Sequence, residues 1–376
     1  MRRAFLLPLL LALASPRAAA QSDWLFERAV SPGRYEVADD APHGLGASVD
    51  AAFFFKNNEY FAPQVEGYTL VGYALRPTVE WRLASGLTLT AGLQALRYGG
   101  TSRARYVRPH FAAMWRATPW LSLQMGSLPG AASHPFHEAV QDPEEQLTDH
   151  PETGIQVWLS RPALRGSLWL NWRQFIFRGD TIPERFTAGA SMLFAPRGEG
   201  RASFEMPFGL IFNHIGGQIS DYPDTMQSTA NLAVSPSLVL AGGDGFVRGV
   251  TFSLHLLAFH AMAGGEVRPF SDGYALSPEV RLSAKFLRAQ LAWFHARDFY
   301  APQGNPLFSS VSNYDAAYYG RRRDLVVFGA SFVKPLGSVG RFALDFKGYL
   351  DAPDGRFDYS YGLTMVMTPG WGRPAE

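Results

Sequence analysis

The stretch GRFALDFKGYLD, residues 340–351, decides the fold class. Leu344 and Phe346 alternate with Asp345 and Lys347, and such alternation is typical of an extended strand with one apolar and one polar face. A soluble sheet buries its apolar face in a core, whereas a barrel in a membrane turns that face outward to lipid. The remainder of the chain determines which of the two applies.

The same unit, an alternating strand followed by turn residues, recurs about sixteen times between residues 44 and 369. Short connections such as 163–165 and 242–245 fall at one end, and long ones such as 129–151 and 299–322 fall at the other. So many apolar faces would overfill a soluble core, but they suit a closed barrel in lipid. The pattern predicts an all-β transmembrane antiparallel β-barrel of about 16 strands, with short periplasmic turns and longer extracellular loops. The alternative is a secreted β-solenoid or sandwich.

Composition limits the function classes. The chain of 376 residues has a formal net charge of +1, which argues against nucleic acid as a partner. It contains no cysteine, which excludes disulfides, thiolate metal sites and lipid attachment through cysteine. We therefore expect no cofactor and no metal.

The N-terminus has the pattern of a cleavable secretory signal. Arg2 and Arg3 precede an apolar run that is too short to span a bilayer, and Ala18–Ala20 fits a cleavage site. These features predict export through the inner membrane and residence in the cell outer membrane of a Gram-negative cell. The expected division is a signal peptide at 1–20, a periplasmic N-terminal segment at 21–43, the barrel at 44–369 and a periplasmic tail at 370–376.

If the apolar faces meet lipid, the alternate positions line the lumen. Charges of both signs there indicate a wet permeation path, because burying so many ions without water would be very unfavourable. A lumen filled by salt bridges is the alternative. The predicted lumen and constriction residues are Arg76, Glu80, Arg108, His110, Arg173, Glu205, His255, Glu279, Arg281, Asp345 and Lys347, with Asp50 beside them.

The loop 129–151 is strongly acidic. In general porins the loop at this place folds into the barrel and faces arginines on the opposite wall, so we expect this loop to narrow the lumen against Arg76 and Arg108. A metal site at His134, His137 and Glu138 and a solvated surface loop are the alternatives. The acidic residues of the loop are Glu138, Asp142, Glu144, Glu145 and Asp149.

Signatures of an enzyme are weak. There is no G-x-S-x-G motif, and Ser253 and His255 lie on one strand face with no evident acid to orient the histidine. The sequence therefore predicts that the protein is not an enzyme. Basic residues at 319–324 could bind lipopolysaccharide phosphates, although a solvated cluster explains them as well.

The last strand carries a recognition pattern. SYGLTMVM, residues 360–367, has Ser360, Gly362, Met365 and Met367 at the positions that the barrel assembly machinery reads on final strands. The expected partners are therefore this machinery, outer-membrane lipids and lipopolysaccharide, and small polar solutes.

Three stretches resemble a family of outer-membrane proteins from Bacteroidota-type bacteria. They are NNEYFAPQVEGYTLVGYALRPTVEW (57–81), NWRQFIFR (171–178) and FNHIGGQI (212–219). The resemblance implies a porin-like barrel in the outer membrane and supplies no substrate or catalytic residue. We therefore expect a porin-like channel for small polar solutes, constricted by loop 129–151. The alternatives are a filled barrel that binds a surface ligand or an assembly partner, and an outer-membrane hydrolase.

Overall fold

The computed structural model describes residues 43–130, 133–196, 201–337 and 340–371. The expectations for the signal peptide at 1–20, for most of segment 21–43 and for the end of the tail fall outside these residues. Within the described part of the chain, no helix is both long enough and apolar enough to span a membrane.

The regular secondary structure of the described chain is almost entirely β-strand, in one sheet. The first nine segments are β1 Gly44–Glu59, β2 Tyr68–Ala84, β3 Leu87–Tyr98, β4 Tyr106–Thr118, β5 Leu121–Ser127, β6 Thr153–Ser160, β7 Leu164–Gln174, β8 Glu184–Phe194 and β9 Ala202–Gly216. The next nine are β10 Gln227–Val234, β11 Ser237–Ala241, β12 Val247–Ala263, β13 Asp272–Ala284, β14 Leu287–Arg297, β15 Arg322–Pro335, β16 Gly340–Asp351, β17 Phe357–Met367 and β18 Gly370–Trp371. A single helical turn, α1, spans Glu145–Thr148.

The sheet closes into a barrel. Every neighbouring pair is antiparallel, and β1 pairs with β2 on one side and with β17 and β18 on the other. The segments β10 and β11 occupy one position between β9 and β12, interrupted at Pro236, which cannot donate to the ladder. Since β17 and β18 likewise share one position, the eighteen segments form sixteen strands. The predicted architecture is confirmed.

The two faces of the barrel are assigned by burial. On β12, Leu254 is 38% exposed and its neighbour His255 is 0% exposed, and a similar alternation runs along β9, β13 and β17. The apolar side chains form the outer wall, as predicted, and the polar ones face the lumen. The outer wall satisfies the requirement that lipid meet only apolar surface and paired backbone.

The extracellular half of the lumen is filled. Loop residues Phe136, Phe299 and Phe308 pack with the inward-facing Phe294 and Tyr349 into one buried apolar cluster. Phe136 lies directly over β9, where a Cβ on Gly209 would come within 2.5 Å of its ring. Loops 133–152 and 299–310 therefore enter the barrel instead of standing above it.

Candidate functional site on the outer wall

Because alternate residues of a strand face opposite sides, all eleven predicted lumen residues lie on the inward face. Glu279 and Arg281 on β13 form an ion pair at 2.7 Å, and Asp50 on β1 pairs with Arg76 on β2 at 2.9 Å. Arg108 is exposed on the same face. Whether these residues set permeation stays a prediction, but their position inside the barrel follows from the register.

The acidic loop lies inside the barrel, but its partners differ from those expected. Glu138 accepts a hydrogen bond from Lys347 at 2.5 Å, and Glu144 lies 3.8 Å from Lys56. Glu145 and Asp149 both pair with Arg173.

The expectation that this loop faces Arg76 and Arg108 through its acids is therefore wrong. Arg76 is paired within the wall with Asp50. Arg108 acts on the loop through His150, where burial and then the positive charge of Arg108 lower the histidine pKa.

Burial also alters the loop acids. It raises the pKa of Asp142 to about 7, and the neighbouring Glu144 carboxylate adds to the increase. Burial likewise raises the pKa of Glu145, against the opposing effect of Arg173. Both effects follow because a carboxylate loses hydration inside the filled lumen.

A small cavity of about 50 Å³ remains between the loop and the wall. Glu145, Asp149 and Glu152 line it on the loop side, and Asn171 and Arg173 line it on the wall side.

The histidines of the loop do not gather with Glu138 around one point. His134 stacks on Trp169, with ring centroids 3.6 Å apart, and lies 3.1 Å from Glu152. His137 instead faces His255, with ring centroids 4.7 Å apart. In the described ranges no group of three or more histidine, cysteine, aspartate or glutamate side chains is placed to hold a metal ion.

A serine–histidine pair lies inside the lumen. Nδ1 of His255 is 2.9 Å from Oγ of Ser235, and its Nε2 is 3.7 Å from Oε1 of Glu279. The sequence pointed to Ser253, but that hydroxyl is bonded to Ser237 at 2.8 Å. The acid that the sequence did not reveal lies on the next strand, β13. Ser235 and His255 are both completely buried.

A second pair lies on the outer wall. Nδ1 of His214 on β9 is 2.9 Å from Oγ of Ser228 on β10, and the two residues are directly opposite in the register. His214 shares its face with the exposed Phe208 and Leu210, so it points toward lipid. The register between β10 and β12 shifts between Ser228 and Thr229, which marks a β-bulge. Bulges change the direction of nearby side chains.

An acid lies on the same face of the neighbouring strand. Glu184 on β8 is opposite Gly216, two residues beyond His214. A Cβ added to Gly216 would lie 3.2 Å from Nε2 of His214, so this side of the histidine ring faces Gly216. Glu184 is opposite Gly216 and not opposite His214, so a contact between its carboxylate and Nε2 of His214 would require rotation of the glutamate side chain.

The pair lies in an aromatic belt near the extracellular ends of its strands. Phe186 stacks on His214 with centroids 4.9 Å apart, and Trp172 stacks on Phe186 at 5.3 Å. Aromatic girdles mark the interface between lipid chains and headgroups. Ser228 is the second residue of β10, so the hydroxyl lies at this depth.

Two further outward histidines at this end contact carboxylates instead. His260 is 2.7 Å from Asp272, and His295 is 2.7 Å from Asp324. The basic group at 319–324 divides between the two faces: Arg322 pairs with Asp324 outside, and Arg323 pairs with Asp351 inside. Among these outward histidines, His214 is therefore the one placed to take a proton from a hydroxyl.

Comparison with known proteins decides the family. The model of a family described as Lipid A 3'-O-deacylase-type matches residues 37–372. The chain belongs to this family. The match agrees with the resemblance to bacterial outer-membrane barrels seen in the sequence. A search of curated proteins found no match.

Solved structures with the same fold are outer-membrane porins. OprD from Pseudomonas aeruginosa is 11% identical with a TM-score of 0.52, and the match covers 89% of this chain and 97% of that one. The protein opdK from the same organism is 11% identical with a TM-score of 0.51, and the match covers 87% of this chain and 99% of that one. OccAB4 from Acinetobacter baumannii is 9% identical with a TM-score of 0.50, and the match covers 89% of this chain and 100% of that one. These likenesses show that the chain has the barrel fold of outer-membrane proteins; the signal peptide and transport stay predictions.

The family description overturns the expectation that the protein is not an enzyme. That expectation rested on the absence of a short motif, and it is wrong at the level of the family. Barrel strands contribute one inward and one outward residue in turn, so a catalytic group is assembled across strands and leaves no contiguous signature. The FNHIGGQI stretch contains His214 but not its partner, which lies beyond the loop 217–226.

Proposed function

We propose that the protein hydrolyses an acyl ester of a lipid A-type glycolipid at Ser228 and His214. The observation that carries this proposal is the 2.9 Å contact between the two side chains on the lipid-facing wall. Lipid A is the substrate class in the family description, and its esters lie at the headgroup interface, the depth of the aromatic belt.

The chemistry follows the general pattern of an activated serine. His214 Nδ1 takes the Ser228 proton as Oγ bonds to the ester carbonyl carbon. Rotation of the Glu184 side chain toward Nε2 would let its carboxylate stabilise the charged ring. The tetrahedral intermediate collapses with loss of the sugar alkoxide, which receives the proton from His214. A water molecule then gives a proton to His214 as its oxygen bonds to the acyl carbon, and the second tetrahedral intermediate collapses with loss of Ser228 Oγ, which receives that proton from His214, so that the fatty acid and the free serine are released.

Access favours the outer pair over the lumen pair. A glycolipid diffuses laterally in the membrane and reaches the outer wall directly, where Ser228 is 8% exposed and His214 is half-buried. Ser235 and His255 are enclosed by the inward loops, and the acyl chains of a lipid could not reach them without removing the apolar cluster. The inner pair therefore serves as a matched control for the outer one.

A serine-directed phosphonate carrying a fatty chain tests the assignment. We expect it to modify Ser228 in the folded protein in detergent micelles, because the neighbouring histidine activates that hydroxyl. Peptide mass spectrometry locates the adduct, and Ser228→Ala should abolish it while Ser235→Ala leaves it unchanged. An adduct on Ser235, or none on either serine in a correctly folded barrel, would contradict the proposal.

A second candidate function is passage of small polar solutes through the lumen. It is favoured by the cavity between loop and wall, which is lined by opposite charges, and by the porin fold. In this function loop 129–151 would narrow the channel, and Arg173 with Glu145 and Asp149 would set the field across it.

Deleting residues 134–149 is expected to raise single-channel conductance severalfold. The deletion removes Phe136 and the loop carboxylates from the lumen and leaves every strand intact. Planar-bilayer recording provides the measurement, and deletion of the exposed loop residues 219–224 is the control, which should not change conductance. Equal conductance of the wild type and the 134–149 deletion would exclude this loop as the constriction.

A further inference from the structure

Two extracellular loops beside His214 carry exposed apolar side chains. Loop 175–183 connects β7 to β8, and loop 217–226 connects β9 to β10. We call their exposed apolar residues the apolar platform: Phe175, Phe177, Ile182, Ile219 and Met226. The two phenylalanines are 63% and 72% exposed, respectively. A cluster of exposed apolar side chains of this kind marks a surface that contacts a protein or a membrane.

Backbone hydrogen bonds join the two loops. The N–H of Gly179 donates to the carbonyl of Ile219 at 3.0 Å, and the N–H of Asp221 donates to the carbonyl of Asp180 at 2.7 Å. Within the first loop, the N–H of Phe177 donates to the carboxylate of Asp180 at 2.7 Å. The platform side chains are therefore presented by a hydrogen-bonded surface.

A bulge in β7 directs the two phenylalanines outward. The register between β7 and β8 shifts just beyond Trp172. Past this shift Ile176 is buried, and a Cβ added to Gly217 would come within 2.5 Å of its Cδ1. Phe175 and Phe177 flank Ile176 and are exposed, so the alternation of buried and exposed residues continues beyond the end of the strand. Their rings contact each other edge to face, with centroids 5.2 Å apart.

The apolar platform adjoins both the lipid-facing wall and the outer serine–histidine pair. Phe175 follows the outward-facing Trp172 of the aromatic belt by three residues. A Cβ added to Gly216 would lie 2.7 Å from Cγ of Met226 and 3.2 Å from Nε2 of His214. The apolar surface of the outer wall therefore extends upward past the pair and onto the two loops.

We propose that the apolar platform is embedded among the acyl chains of outer-leaflet lipids. The platform is continuous with a wall that already meets lipid, and its side chains are stabilised where they leave water. Acyl chains then reach Met226, beside His214. A platform in water and a platform covered by a second copy of the chain are the alternatives. This inference does not depend on the hydrolase or the channel proposal.

Nitroxide spin labels on single cysteines test the proposal in phospholipid vesicles. The chain contains no cysteine of its own, so each introduced cysteine carries the label alone. Phe177→Cys and Ile219→Cys report on the platform. Leu210→Cys on the outer wall gives the lipid reference, and Ser102→Cys in an exposed extracellular loop gives the water reference. The measurement is the collision rate of each label with molecular oxygen and with a polar nickel chelate.

The two reagents separate lipid, water and protein surroundings. At both platform positions we expect a nickel collision rate at least about tenfold lower than at Ser102, because a polar chelate is excluded from acyl chains. The oxygen collision rate should lie within about twofold of that at Leu210, because oxygen is apolar and enters the acyl chains. Fast nickel collisions would place the platform in water, and slow collisions with both reagents would show a protein contact. Either result would overturn the proposal.

Polar variants show whether the phenylalanines cause the insertion. In the labelled Ile219→Cys protein, adding Phe175→Ser and Phe177→Ser should raise the nickel collision rate to that of the water reference. Phe61→Ser removes a 63% exposed phenylalanine from the loop between β1 and β2, and this matched control should leave the rate unchanged. Gel mobility with and without heating shows that each barrel is folded. An unchanged rate in the folded double serine variant would refute the role of the phenylalanines.

Discussion

Ser228→Ala is expected to reduce acyl release from lipid A by a factor of about 10³ or more, because the variant lacks the attacking oxygen. His214→Ala should reduce the rate of acyl release by a factor of about 10² to 10⁴, which is the usual contribution of a general base. The measurement is mass spectrometry of fatty acid released from purified lipid A in mixed micelles, for folded barrels at equal concentration.

The inner pair supplies the control for this experiment. Ser235→Ala removes a hydroxyl that is bonded to a histidine at the same 2.9 Å distance, but inside the lumen. It should leave acyl release within about twofold of the wild type, because no lipid reaches it. Full activity of Ser228→Ala would refute the outer-wall site, and loss of activity in Ser235→Ala alone would move the site into the lumen.

Leu254→Arg is expected to destabilise the barrel by about 2–4 kcal/mol, because it places a charge near the bilayer midplane. Leu254 is the eighth of the seventeen residues of β12 and points outward. Urea unfolding in lipid vesicles, followed by tryptophan fluorescence, measures the difference.

Depth and face can be separated with two further variants. Leu240→Arg lies on the same outer wall near the periplasmic end of β11 and should cost only about 0–1 kcal/mol. Ser253→Ala lies on the inward face beside Leu254 and loses the hydrogen bond to Ser237, so about 0.5–1.5 kcal/mol is expected. Equal effects of the two arginine variants would show that Leu254 is not at the midplane.

Both predictions concern the same outer wall, and they separate its two roles. Near the midplane, around Leu254, the wall requires only apolar side chains. At the extracellular ends, around His214 and Ser228, it tolerates polar groups because headgroups and water are within reach. A hydrolytic pair at this level can therefore meet a lipid without weakening the barrel.

The sequence by itself determined the barrel, its strand number and its two faces. Alternation has a period of two, so each residue of a strand is assigned to one face once a single neighbour is assigned. For this reason Glu205, His255 and Lys347 could be placed inside from the sequence alone. The sorting of long and short connections to opposite ends was likewise readable, because it depends only on chain order.

Only the tertiary structure decided which side chains meet. His214 and Ser228 are separated by the loop 217–226, and their contact depends on the register between β9 and β10 and on the bulge at Ser228. Glu138 and Lys347 come together across the barrel from opposite parts of the chain. Alternation gives the face of a residue but neither the register of its strand nor the path of a loop. Contacts between distant strands therefore emerge only when the barrel closes and the loops fold into it.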